Sequence, residues 1–528
     1  MANPYLWITV VGGIMAFLVG CGVGMNDLAN AFGTTYGARI LTLRQIVVLA
    51  AFCEFAGAVS LGAEVTSTIS SGIADPQEFA AEPYVLMYGM LCALCAAFSW
   101  LLLATCLSLP VSSTHSIAGG IMGFALVYGG GNAVSWAKKK DDFPFVEGVV
   151  PIVASWFISP VLTGAAAAAM YGLVRFFVLK PQNSVKRALY VIPFIVSVTF
   201  FLEAFFVLFK GAESRLHWGV GKAAWVGAVI GIGAGIVSIG FIPLLKRRVK
   251  QMTEKAERLE EEERRRMEVE AEERRADGDE SLPSTVPVGG DVSAGHADTH
   301  DEVTASTSLD ADAKPGEQPN EPFTGAIVAD GESSSFVSLG KSEEELRKFD
   351  VEIYDNRAEL VFRYLQVFTA VCASFAHGAG DVSKAVGPFA AIYSIYQSQQ
   401  VMTNSETPIW ILCLGGAGIV VGLAAFGVRL MRLLGERITK ITPSRGFAAE
   451  LSAALVVSFA SGYGVPVSST HCITGAVIAI SMVDVGFCNV RWLIVGKLCA
   501  GWVFTLAVTG ILSAVLFAQG VYAPARGV

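Results

Sequence analysis

The sequence predicts an all-α polytopic membrane protein, with about 12 transmembrane helices in two inverted repeats that include re-entrant or half-helices. Three observations predict this fold class. The 528 residues are 53% hydrophobic and 16% charged, with a net charge of −8, whereas soluble domains carry about 25% charged residues. Mean hydropathy is +0.54, and apolar runs of the roughly 20 residues needed to span a bilayer recur along both halves. One polar hexapeptide, Pro-Val-Ser-Ser-Thr-His, stands at 110–115 and again at 466–471, each time inside an apolar stretch.

Taken in order, seven spans are expected before a charged loop, at 5–24, 43–63, 84–107, 112–130, 149–175, 189–209 and 222–245. Five more are expected after it, at 358–377, 408–430, 447–462, 466–488 and 492–519. This gives a first membrane half at 1–245, a cytoplasmic charged loop at 246–357 and a second membrane half at 358–528. Glu and Arg alternate from Glu254 to Arg275, which favours a solvated helix with i,i+4 pairs. Gly, Ser, Pro, Asp and Thr then dominate to about residue 340 and predict disorder. The N-terminus lacks a basic region before a short apolar core, so the first span is expected to stay as an anchor rather than be cleaved.

Lys and Arg set the orientation. Lys246, Arg247, Arg248 and Lys250 make the loop cytoplasmic, and counting back seven spans places the N-terminus outside. Arg39, Arg44, Arg175, Lys180, Lys186 and Arg187 then fall inside. The 64–83 connector, with Glu64, Asp75, Glu78 and Glu82, falls outside. Arg429, Arg432, Arg437, Lys440 and Arg445 fall inside only if residues 384–400 form a half-helix or re-entrant segment, and the C-terminus is then outside. Lys138, Lys139 and Lys140 run against the rule. A second word, Gly-Met-Asn-Asp-Leu-Ala-Asn-Ala at 24–31, has a partner in Gly-Ala-Gly-Asp-Val-Ser-Lys-Ala at 378–385. In this orientation Asp27 follows a span running inwards and Asp381 one running outwards. The repeats are therefore inverted, a recurring build in secondary transporters.

The polar words carry the chemistry. Pro favours the first turn of a helix, so Ser112, Ser113 and Thr114, with Ser468, Ser469 and Thr470, are expected to bring hydroxyls to two helix starts. Such starts present unpaired amides and a partial positive charge that suit an anion. A carboxylate at mid-helix in a membrane costs about 2.5–3.5 kcal/mol, so Asp27 and Asp381 must be protonated, paired or bound to a cation. Asn26 and Asn30 add carbonyl oxygens beside Asp27, which suits a hard monovalent cation. Glu54 and Glu450 are further acids inside spans. Glu203 is another, but it belongs to neither word and reads as structural or interfacial. His115, His471 and His377 are expected to be hydrogen-bonded structural histidines, with a proton relay as the alternative. The ten Cys lie largely in apolar runs as small hydrophobes, and Cys92 and Cys95 have no further zinc ligand nearby. No Walker pattern, zinc spacing or Ser-His-Asp order is present. An enzyme, a bound cofactor and a nucleic-acid partner are not expected.

These residues resemble the inorganic phosphate transporter (PiT) family, the sodium–phosphate symporters. That family's words are Gly-x-Asn-Asp-x-x-Asn-x and Pro-Val-Ser-Thr/Ser-Thr-His, each in both halves. Thr-Leu-Arg-Gln at 42–45, Ser-Phe-Ala-His-Gly at 374–378 and the string at 437–447 match as well. The resemblance covers roughly 1–245 and 358–520. It implies phosphate between Ser112, Ser113, Thr114, Ser468, Ser469 and Thr470. It implies sodium at Asn26, Asp27 and Asp381, and transport-essential glutamates at Glu54 and Glu450. It also implies a plasma-membrane protein and points towards a homodimer.

The second half departs from the pattern. Gly380 and Lys384 stand where the family has Asn. A fixed ammonium beside Asp381 can replace one bound sodium by charge, so fewer sodium ions, or protons, are expected to be co-transported. Coupling itself follows from energetics: 100 mV, inside negative, opposes an entering anion by about 2.3 kcal/mol per charge. A tenfold cation gradient returns about 1.4 kcal/mol. Two readings of other classes stay open: a phosphate-sensing receptor that signals through the 246–357 loop, and an anion channel.

Overall fold

The computed structural model describes residues 4–37, 40–107, 109–141, 143–211, 218–276, 352–402, 407–425, 442–490 and 492–523. Contacts divide the chain into a membrane unit, Met1–Thr253 with Lys341–Val528, and a second unit, Glu254–Gly340. Among the described residues there are twelve α-helices: α1 (Leu6–Gly37), α2 (Leu43–Ser71), α3 (Pro83–Cys106), α4 (Ser113–Gly129), α5 (Val149–Val174), α6 (Ser184–Phe206), α7 (Val220–Ala276), α8 (Asn356–Ser398), α9 (Ile409–Ala425), α10 (Pro443–Gly462), α11 (Ser469–Val485) and α12 (Trp492–Tyr522). Eight of these stretches are long and apolar enough to cross a membrane. The short helices α4 and α11 have 17 residues each. At about 1.5 Å per residue they fall short of the roughly 30 Å hydrocarbon core.

Local chemistry explains the helix starts. The Thr-Leu-Arg-Gln string is a capping box: Thr42 N–H donates to Gln45 Oε1 at 2.9 Å, and Gln45 N–H donates to Thr42 Oγ1 at 3.4 Å. Pro83 and Pro443 occupy the first turns of α3 and α10. Asp355 caps α8 by accepting from Arg357 N–H at 2.9 Å. Four helices carry an internal Pro: Pro160, Pro193, Pro243 and Pro388.

The two halves interlock. In the first half α1 packs on α9 of the second, and in the second half α8 packs on α2 of the first. The same reciprocity pairs α4 with α12 and α11 with α5, and then α3–α4 with α10–α11. Contact between α1 and α8 runs antiparallel. Gly12 and Gly13 lie against Ile392 and Phe389, whereas Thr34 and Thr369 bond the same carboxylate. Small residues allow the close approaches, as expected where lipid removes the hydrophobic drive between helices. A Cβ at Gly378 would run into the backbone of Glu54, and one at Gly422 into that of Cys21.

Three expectations need correction. Residues 384–398 are no separate half-helix; they continue α8 without a break past Pro388, and all of residues 384–392 are buried among neighbouring helices. Pro110 and Pro466 do not open α4 and α11, which begin three residues later. The intervening Pro-Val segments stay extended because their backbone bonds across the protein: Val111 O accepts from Asn26 Nδ2 at 2.7 Å, and Val467 O accepts from Thr114 Oγ1 at 3.2 Å. Arg445 is no connector residue but a buried group in the first turn of α10, whereas Arg429, Arg432, Arg437 and Lys440 lie outside the described residues. Lys138, which runs against the charge rule, pairs with Asp75 of the acidic connector at 2.9 Å. That connector meets it through Asp75 N–H to Ala133 O and Ser135 N–H to Ile73 O, both 2.9 Å. The alternating Glu–Arg stretch forms the charged end of α7, and residues 277–351 of the loop lie outside the described residues.

Replacing Gly378 by Val is expected to lower the thermal stability of the purified protein by about 1–3 kcal/mol through overpacking against α2. Gly172→Ala, where a Cβ meets nothing within 4 Å, should leave the melting curve in place.

Candidate functional site

The hexapeptides meet head to head. Ser112 and Ser468 precede the first residues of α4 and α11, and their hydroxyls lie 3.0 Å apart. Ser112 also caps its own helix, accepting from His115 N–H at 3.4 Å. Ser468 makes no such cap, so the first amides of α11 keep their donors. Behind the hydroxyls the rings form a row in the order Trp156, His115, His471, Trp502, with centroid distances of 3.7, 4.9 and 3.7 Å. His115 Nδ1 lies 2.8 Å from Ser112 Oγ, and His471 Nδ1 lies 3.1 Å from Trp156 O. Both histidines thus hold the helix starts in place.

The first polar word closes on these starts. Asp27 Oδ1 accepts from Asn26 Nδ2 at 2.9 Å and from Asn30 Nδ2 at 3.0 Å, and Asp27 Oδ2 accepts from Ser113 Oγ at 2.6 Å. Asn30 also reaches the other hexapeptide, 2.9 Å from Thr470 Oγ1 and 3.5 Å from Ser469 Oγ. Asp27, through Ser113, and Asn30, through Thr470, together tie the first word to both helix starts. Thr114 is the exception among the hydroxyls, spent on Val467 O.

Helix α8 brings the second word. His377, Asp381 and Lys384 share a face at helical spacing, all buried. Lys384 Nζ pairs with Asp381 Oδ1. His377 Nδ1 lies 3.1 Å from Asp381 Oδ2 and 3.3 Å from Glu54 Oε1, and Ser374 Oγ donates to Glu54 Oε1 at 3.4 Å. Oxygen and nitrogen ligand atoms of Asp27, His377 and Asp381 all fall within 4.8 Å of one another. Five elements thus converge on one centre with three carboxyl groups and one ammonium. A cavity of about 20 Å³ borders it, lined by Asn30, His377 and Ser469 among others, which is room for about one water.

Two of the sequence-derived acids stand apart. Glu450 Oε1 accepts from Thr34, from Thr35 at 2.8 Å and from Gln366 at 3.3 Å, and Oε2 accepts from Thr369 at 2.9 Å. Thr34 lies one helical turn beyond Asn30, so this second carboxylate sits further along the same pair of helices, α1 and α8. Glu203 meets Ser458 Oγ at 2.9 and 3.1 Å, between α6 and α10. Sequence reasoning missed Thr34, Thr35, Gln366 and Thr369. The signal was available as two adjacent Thr one turn after Asn30 and a Gln-x-x-Thr upstream of His377.

The two ends of the interlocked halves differ. Where α5, α8, α10 and α11 come together, the closure is ionic. Arg445 Nε pairs with Asp484, Tyr171 Oη donates to Asp484 Oδ1 at 2.7 Å, and Arg445 Nη2 donates to Glu352 O at 2.9 Å. Arg175 pairs with Glu352, and Glu359 Oε1 accepts from Ser444 Oγ at 2.7 Å. Burial acts to raise the Glu352 carboxyl, but Tyr354 and Arg175 outweigh it and hold the group below the ordinary glutamate range. At the counterpart end, α3, α4 and α12 close on aromatic rings. Phe79 stacks on Tyr128 at 4.4 Å, and Phe517 packs on Phe124, Tyr88 and Tyr128.

Asp381→Asn strands the Lys384 ammonium in a buried site and should cost about 3–5 kcal/mol of stability. Adding Lys384→Met is expected to recover most of it. A thermal-unfolding double-mutant cycle reads the difference, and additive losses would exclude the pairing.

Residues 23–513 match the model of the phosphate transporter family. The chain is 31% identical to the phosphate-repressible phosphate permease pho-4 of Neurospora crassa, over 99% of both chains. It is 30% identical to sodium-dependent phosphate transporter 1-A of Danio rerio, over 98% of this chain and 96% of the relative. A solved structure titled the sodium-dependent phosphate transporter superposes with a TM-score of 0.70 at 28% identity, over 98% of this chain and all of that one. With the family's model matched across both membrane halves and both relatives aligned nearly end to end, this integral membrane protein belongs to the phosphate transporter family.

Proposed function

We propose that the chain is a cation-coupled inorganic phosphate symporter that imports phosphate by alternating access. The observation that carries this reading is the meeting of two hydroxyl-bearing helix starts, at Ser112 and Ser468, directly beside Asp27, Asp381 and Lys384. Hydroxyls and first-turn amides suit an oxyanion. The adjoining carboxylates suit the cation that travels with it, and relatives named as sodium-dependent phosphate transporters make sodium the first cation to test.

Charge balance supports coupling. Three carboxyl groups face one ammonium in a site closed from water. An anion entering that set adds repulsion, which is strong at low effective dielectric, so a cation must accompany it. The hydroxyls of Ser112 and Ser468 bond each other, and phosphate that takes both must break that bond. Substrate entry and opening of the contact are then one event. The ionic and aromatic ends serve as the two closures, one relaxing while the other holds.

Lys384 stands in for one sodium. An asparagine at 380 has room, because a Cβ there meets only Ser461 Oγ at 3.4 Å and Val457 Cγ1 at 3.7 Å. Ser461 Oγ is itself without a hydrogen-bond partner among the described residues. The Asn that the family has at 380 is thus missing together with the contact that it would make, and the ammonium supplies the charge. In this reading the loop is cytoplasmic, both termini are outside, and the protein works in the plasma membrane as a dimer.

Radiolabelled phosphate uptake into proteoliposomes, with sodium and pH gradients imposed separately, tests the reading. Gly380→Asn with Lys384→Asn is expected to steepen the sodium dependence of uptake relative to the natural chain. An unchanged slope, or a natural chain that already shows a steep multi-sodium dependence with no pH effect, sinks the substitution of Lys for sodium. Asp27→Asn should abolish uptake, whereas an anion channel would keep its flux. Loss of the central loop should leave uptake intact, whereas a receptor would lose its output.

A further inference from the structure

We propose that the groove between α6, α7 and α8 binds one anionic phospholipid, with its headgroup at Arg248. The groove has a volume of about 370 Å³, within the range of about 300–1,000 Å³ of ligand sites. Its walls include Ile192 on α6, Ser238, Phe241 and Leu245 on α7, and Tyr364 and Phe368 on α8. Arg248 is the one charged residue in the lining.

The geometry selects the occupant. Ser238, Phe241, Leu245 and Arg248 follow one face of α7 at i, i+3, i+7 and i+10. That stripe rises about 15 Å at 1.5 Å per residue, half of the roughly 30 Å hydrocarbon core. It has the reach of one acyl chain in one leaflet, with the charge at the outer end. Much of α7 faces outwards, as Phe241 and Leu244 do, so the medium beside the groove is lipid rather than water.

Charge decides the headgroup. Lys246, Arg247 and Lys250 flank Arg248, and Lys180, Lys186 and Arg187 lead into α6 at the same end. Of the acids described there, Glu352 is held by Arg175 and Lys180, and Asp355 accepts from Ser184 Oγ at 3.0 Å and caps α8. Among the described residues no ion pair involves Arg248. Clustered Lys and Arg at a membrane surface attract anionic lipid. Tyr364 Oη bonds Met252 Sδ at 3.4 Å, which fastens α7 to α8 beside the headgroup position. The adjoining residues Gln366 and Thr369 bond Glu450 from α8, so a lipid in the groove braces the helix that carries the second polar word. This inference does not depend on which cation is coupled.

The test uses the purified full-length chain with phosphatidylglycerol or phosphatidylcholine of identical acyl chains, read by native mass spectrometry. The natural chain should retain phosphatidylglycerol about fivefold over phosphatidylcholine. Arg248→Gln should remove that preference while an acyl-bearing lipid is still held. Ser238→Trp, or Ser238→Leu if the larger ring prevents folding, should remove both lipids, with phosphate uptake retained as the check on folding. Equal retention of the two lipids by the natural chain overturns the proposal, as does an undiminished preference in Arg248→Gln. A groove-filling variant that changes the oligomeric mass but keeps its lipid assigns the groove to a second copy of the chain, and also overturns it.

Discussion

Everything at the centre of this protein follows from an excess of buried carboxyl groups over buried ammonium groups. Asp27, Asp381 and Glu54 are gathered around one ammonium, Lys384, with His377 between two of the carboxyls. Such a set is costly to bury, and much of the surrounding architecture serves to satisfy it. Asn26, Asn30 and Ser113 give Asp27 three hydrogen bonds, and each donor comes from a residue whose backbone is already fixed by a helix or helix start. Without those donors α1 could not pass the meeting point of α4 and α11. The site and the fold are therefore the same set of interactions.

The interlocked packing gives this centre its position. Each half lends a helix to the other, so α1 is flanked by α9 and α8 by α2. Glycines on both sides of these contacts let backbones touch, which fixes Asp27 and Asp381 at the same depth more tightly than longer side chains could. The two halves are equivalent in packing and unequal in chemistry. Val23, Asn26 and Asn30 on α1 correspond to His377, Gly380 and Lys384 on α8. The first set supplies neutral oxygens and the second a fixed cation and a histidine, so a cation bound between them meets different partners on its two sides.

Much of this was legible in the sequence because it depends on local composition. Hydropathy located the helices of the described residues, since an apolar run of helical length has few alternatives in a bilayer. The repeated words located Asp27, Asp381, Ser112 and Ser468, since a polar residue in such a run needs a reason. Tertiary partners were not legible. Glu54 shows no base within reach along the chain, yet His377 lies beside it from the other half. The Glu450 donors come from two distant helices. The Pro-Val segments were misplaced for the same reason: Pro alone favours a first turn, but bonds from Asn26 and Thr114 across the site outweigh that preference. The continuity of α8 past Pro388 is likewise a matter of neighbours, because a helix buried on all sides keeps its course where an exposed one would bend.

The unequal ends set the direction in which the structure is easier to open. Closing the α5–α10–α11 end relies on charged groups, Arg445 with Asp484 and Arg175 with Glu352. The partly exposed Arg175–Glu352 pair loses little when water replaces it, and for the buried Arg445–Asp484 pair the hydration that both charges regain offsets most of the attraction lost when water parts them. Closing the α3–α4–α12 end relies on aromatic rings packed around Phe517, whose exposure costs apolar area at about 25 cal/mol per Å². Wetting the ionic end therefore costs less per group separated than wetting the aromatic end. In the proposed alternating-access reading, with the basic residues on the cytoplasmic side, release inwards is the cheaper opening, and the aromatic end is the one that substrate and cation would spend binding energy to part. That bias has the sign an importer needs, and it arises from side chains that touch neither polar word.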